Sequence, residues 1–125
     1  MAKWQNDAML DAALNYIKNN TTQMAVCSAQ PTSYAQATST YKLALKTGLS
    51  GSSFTGPADG DSPGRKITIN EQANVDVDAS NDATHVALCS ADTLLYVTTC
   101  TTQTLTAGNK VTIPAWKIEL ADVTN

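Results

Sequence analysis

Charge is scarce in this chain: Asp, Glu, Lys and Arg make up 15% of its residues, against roughly 25% in an average soluble domain. No basic excess compensates, since the formal net charge is -3 and the cations are scattered, with Arg65 and Lys66 the densest pair. A nucleic-acid binder needs a basic patch to displace phosphate counterions, so that class of partner is set aside. Apolar runs of membrane-spanning length are missing as well, which argues against a membrane partner. The opening "MAKWQNDAML" shows no apolar stretch of signal-peptide length after Lys3, and synthesis in a cytoplasm is the expectation. The three cysteines are an odd number, none lies in a CxxC arrangement, and His85 is the sole histidine. Neither a disulfide framework nor a zinc site fits those counts. No metal or cofactor is expected, and reduced, half-buried thiols are.

What the chain does have is Thr and Ala, its two most frequent residues, with many Thr in strand-like stretches. One domain over residues 1–125 is expected, of a size that buries a core without staples. From about residue 6 to 19 the pattern is helical. Leu10, Ala13, Leu14 and Ile17 recur at i, i+3, i+4 and i+7, Asn6 or Asp7 can cap the start, and Asn19-Asn20 ends it. The rest reads as strands: "QMAVCSA", "STYKLAL", "RKITI", "ANVDVDA", "THVALCS", "TLLYVTT" and "NKVTIPAWKIEL". "VDVDA" alternates, with Val75 and Val77 on one face and Asp76 and Asp78 on the other. "CSADTLLY" has the length of a tight hairpin turning near Ala91-Asp92. Pro114 implies an edge position or a bulge. A long Gly-rich surface loop is predicted at about 47–65, holding all but one of the glycines. The fold class that follows is mainly β: an antiparallel β-sandwich or barrel-like module with one N-terminal α-helix, its strands over about 65–120.

Two segments repeat. "AVCSAQPTSY" at residues 25–34 returns as "ALCSADTLLY" at residues 87–96, aligning Cys27 with Cys89 and Tyr34 with Tyr96. Both lie in apolar, strand-like context and run into a turn. A buried free cysteine acts as a small hydrophobe, so the shared "CSA" reads as two equivalent strands, candidate sheet neighbours, needing small residues where layers approach. A disulfide among Cys27, Cys89 and Cys100, or a reactive thiol, is the competing reading. No cationic or His neighbour in sequence activates any of them.

Other motifs are weaker. "DVDASND" spaces Asp76, Asp78, Ser80 and Asp82 like the start of a calcium loop. The required Gly and Glu are replaced by Asn81 and Ala87, and the flanks read as strands. Solvent-facing Asp on a strand explains the run better. "GPADGDSPGRK" misses the phosphate-loop spacing, carries Asp59 and Asp61, and runs into "ITI" where a helix is needed. No GxSxG motif accompanies His85, and Glu71 and Glu119 are the only Glu residues, so no catalytic residue is assigned.

"FTGPADGDSPGRKITI", "ATHVALCSADTLLYVTTC" and "VTIPAWKIELADV", with the opening "MAKWQNDAMLDAALNYIKNN", carry a resemblance along the full length. Together they resemble the small head-decoration, or cement-type, structural proteins of tailed bacteriophages. The resemblance implies a non-enzymatic virion protein made in the host cytoplasm. It would bind and stabilise the outside of the capsid, contact the major capsid protein, and typically sit as a homotrimer where capsomers meet. A tail-fibre, neck or receptor-binding module of the virion is the alternative it leaves. On this reading the irregular parts are the contacts, and Trp4, Phe54 and Arg65 are the candidate capsid or subunit residues. Phe54, the one Phe, is either a plug into its own core or an anchor in a partner's pocket.

Overall fold

The computed structural model describes residues 6–60 and 64–121. Helix α1 spans Asp7–Asn20. The Asn6 side-chain oxygen accepts from the Ala8 N–H at 2.8 Å, and the Thr21 N–H closes the other end on the Ile17 carbonyl. Both ends are therefore satisfied locally. Leu14 is fully buried and Leu10 and Ile17 partly so, as the stripe predicts, but Ala13 lies exposed.

Among the described residues, nine strands follow in three antiparallel sheets. β1 (Gln23–Cys27), β2 (Lys42–Lys46), β6 (Asn81–Cys89) and β7 (Leu94–Leu105) form a sheet in the order β2-β1-β6-β7. β3 (Phe54–Asp59), β4 (Gly64–Ile69) and β9 (Trp116–Ala121) form a second, with β4 central. β5 (Gln72–Asp76) and β8 (Lys110–Ile113) make the third, tied to the first by the Ala44–Val77 bridge and by the Asp78 N–H on the Leu43 carbonyl at 2.7 Å. The result is a mainly β, sandwich-like fold with the helix packed on β3 and β4. Met24, Val26, Leu88, Ile67, Ile69 and Ile118 meet in the main core, each contributing about 1.5–3 kcal/mol by leaving water.

The repeat has a geometric meaning. β1 and β6 are adjacent and antiparallel, with Ala25 opposite Ala87. Residues 25–27 and 87–89 are thus related by a local two-fold through that pair, whereas Tyr34 and Tyr96 are not, since Ala44 holds the place equivalent to Tyr96. The relation extends outward. β2 on β1 breaks register between Val26 and Cys27, where Ala44 and Lys42 are the partners. β7 on β6 breaks it between Leu88 and Cys89, where Tyr96 and Leu94 are. Each hairpin arm therefore carries one bulged leucine, Leu43 or Leu95, at the equivalent place. On the far side of this sheet Ala25, Cys27, Ala87 and Cys89 form a second small cluster with Ala37 of the π-turn Gln36–Thr40. The small side chains let that turn lie close to the sheet.

The segment 47–65 is not loop throughout, contrary to the sequence expectation. A 3-10 turn, Gly51–Ser53, leads into β3, whose Phe54 and Asp59 pair with Ile69 and Arg65 of β4. Gly56 and Pro57 sit in a bulge between Thr55 and Ala58 on an edge strand, where turn-forming residues are tolerated. Pro114 separates β8 from β9, which belong to different sheets. The β6–β7 hairpin turns through residues 90–93, closed by the Ser90 N–H on the Thr93 carbonyl at 2.9 Å.

Candidate contact surfaces

Arg65 is engaged within the chain. From β4 it reaches α1, where its Nε donates to Asp11 Oδ1 at 2.8 Å and an Nη to Asp11 Oδ2 at 3.2 Å. Its other Nη donates to Asp59 Oδ1 at 2.6 Å. These bonds, that to Asp11 first, push the guanidinium pKa above its ordinary value. Lys18, one face along the helix, donates to the Gly56 carbonyl at 2.9 Å. The cationic end of the Gly-rich segment is thus a clamp holding α1 to its own sheet. Phe54 is only 5% exposed and packs in the main core, the first of its two readings. Trp4 lies outside the described residues.

The acidic run is taken up by neighbouring strands. Val75 and Val77 are buried, while Asp76 binds Lys110, Asp78 lies 3.0 Å from Lys42, and Asp82 accepts from the Thr104 hydroxyl at 2.8 Å. Among the described residues no group of three or more potential metal ligands comes together.

Folding places His85 directly across from Cys27 in the sheet, a neighbour that sequence spacing could not reveal. It does not make an activated pair. Cys27 is fully buried, and its thiol donates to the Ala37 carbonyl at 3.6 Å. Burial first, then the nearby Cys89 and Cys100, pushes its pKa up to about 12. His85 Nδ1 is bonded to the Thr84 hydroxyl at 2.8 Å. Cys89 and Cys100 are raised too, by burial. All three are free thiols, held in their protonated, weakly nucleophilic form.

Between β7 and the β8–β9 corner runs an apolar cleft of two joined parts, of about 210 Å³ and about 380 Å³. Val86, Cys100, Thr101, Ile113 and Pro114 line both parts, and Trp116 closes one end. Tyr96 stacks on Trp116 with ring centroids 6.1 Å apart. The indole N–H is buried and finds no acceptor among the described residues. β7 is the outermost strand of its sheet and carries no charged residue along its length. Uncharged edges are unusual, because proteins ordinarily guard them with Lys, Glu or Pro. Sequence reading missed this surface, since the cleft joins strands from separate parts of the chain.

A second surface was legible but overlooked. Met9 and Tyr16 of α1 are 66% and 59% exposed, and the sequence spaces them two turns apart.

No family model, curated protein or solved structure matches the chain.

Proposed function

We propose that this is a bacteriophage virion structural protein that binds the outside of the capsid and stabilises it, as a decoration or cement protein. One observation carries the reading: the groups this fold leaves available are suited to contact and poorly suited to reaction. Its thiols are held protonated and Arg65 is bound to Asp11 and Asp59. The cleft beside the uncharged β7 edge is apolar. The resemblance of the sequence to decoration proteins points the same way. In this account the cleft receives an apolar segment of the major capsid protein. A homotrimer would repeat the contact three times, and linked weak contacts become nearly irreversible together.

The test is add-back to capsids of the same phage assembled without the protein. Wild-type protein should bind those shells and raise the temperature at which they rupture. Thr101→Glu, which places a charge at the cleft rim, should fold normally and bind poorly. Failure of the wild type to bind the shells contradicts the proposal.

A further inference from the structure

Helix α1 packs its stripe of Leu10, Leu14 and Ile17 inward and turns two of its three charged residues inward as well. In a surface helix the charged residues ordinarily face water and the apolar stripe faces the core. Here Asp11 and Lys18 are turned onto the protein's own sheet, held by Arg65 and by the Gly56 carbonyl. The solvent face carries Ala8, Met9, Ala12, Ala13 and Tyr16, all exposed, with Asn19 and Asn20 at its end. It bears no charge. Met9 and Tyr16 are the two large apolar side chains that stand most exposed among the described residues. They lie ~10.5 Å apart along the axis on one face, with the two alanines between them.

This large-small-large order is self-complementary. We propose that a second copy of this chain packs its own α1 antiparallel against this face, across a two-fold axis passing between Ala12 and Ala13. Met9 of each copy then meets Tyr16 of the other, a thioether-on-ring contact made twice by one symmetry operation. The alanines in the middle allow the backbones to approach, as small residues do at helix crossings, and antiparallel helix dipoles oppose favourably. A second copy fits better than a different partner for two reasons. A charged face would repel its own image, and this one has no charge to repel. The order of large and small residues also reads the same when reversed about its midpoint. Association through a single helix face is expected to be concentration-dependent, since a standard stable interface buries roughly 800 Å² per partner. The inference does not depend on the virion reading.

Sedimentation velocity of the full chain over a concentration series tests it. The wild type is expected to move from monomer to dimer as concentration rises. Ala12→Glu faces its own image with a buried like charge and should weaken dimerisation about tenfold or more. Tyr16→Ala should weaken it too, while Thr106→Glu in the exposed turn between β7 and β8 should leave it unchanged. Thermal melting checks that each variant is folded, and Tyr16→Ala keeps the test open if the glutamate variant is not. A wild type that stays monomeric throughout, or an oligomer insensitive to both α1 substitutions, overturns the proposal. A wild type that dimerises but does not bind the shells would instead count against the virion reading alone.

Discussion

Arg65 and Cys27 show how differently two residues that look functional in a sequence can be used. Arg65 ends the Gly-rich segment and reads as a candidate contact residue, yet its guanidinium is bound to Asp11 and Asp59. Replacing it with Met should lower the denaturant midpoint, chiefly through Asp11, because the pair to the open Asp59 carboxylate is screened by water. Arg65→Lys should restore only part of the loss, since an ammonium cannot make the forked contact. A double-mutant cycle with Asp11→Asn checks the pairing. The Cys27 thiol has a pKa of about 12 when folded against 9.0 as the unperturbed value. Between those values the unfolded chain binds fewer protons than the native one. Stability from this group is therefore full below pH 9 and declines toward pH 12, with a limiting slope of about 1.4 kcal/mol per pH unit. Denaturant midpoints measured from pH 8 to 11 should fall, and the fall should be shallower in Cys27→Ala. Neither role could be read from the sequence, because Asp11 and Ala37 reach these residues only through the fold.

At the scale of elements, periodicity served where one face is buried and failed where glycine was read as loop. The helix, the "VDVDA" alternation and the "CSADTLLY" hairpin were legible because each is a local pattern with a single period. The repeated "CSA" strands were legible as equivalents. Their shared two-fold and paired bulges were not, since register belongs to the sheet. β3 was hidden by Gly56 and Pro57, which mark a bulge on an edge strand. Gly56 takes φ +110°, and a Cβ there would lie 3.1 Å from the Lys66 carbonyl oxygen. Gly56→Ala should therefore destabilise by about 1–3 kcal/mol. Gly48 also has a positive φ, +75°, but open space around it. Gly48→Ala should cost less, about 1 kcal/mol, and paired thermal melts of the two variants measure the difference.

At the scale of the whole molecule, α1 and the cleft lie on different elements and serve different contacts in this account. Under the proposals, capsid binding through the β7 side would fix each copy on the shell, and the α1 two-fold would join a copy to its neighbour. If the copies sit as trimers, such two-fold links would connect one trimer to the next and spread load across the lattice. The composition pointed toward a β-rich chain with a weakly charged surface, with little charge and much Thr and Ala. It could not say where the contacts lie, because a cleft built from β7, β8 and β9 exists only once the sheets have met. The helix face was within reach of sequence reading, since Met9, Ala12, Ala13 and Tyr16 follow helical spacing. The inward stripe of Leu10, Leu14 and Ile17 explained the helix and drew attention away from it.

The most direct measurement of the central claim is the copy number of this protein in purified virions, by quantitative peptide mass spectrometry against the major capsid protein. A capsid-decorating protein should be present in a simple, shell-wide ratio to the capsid subunit. A handful of copies per particle, as at a tail or neck, or none at all, would contradict the account.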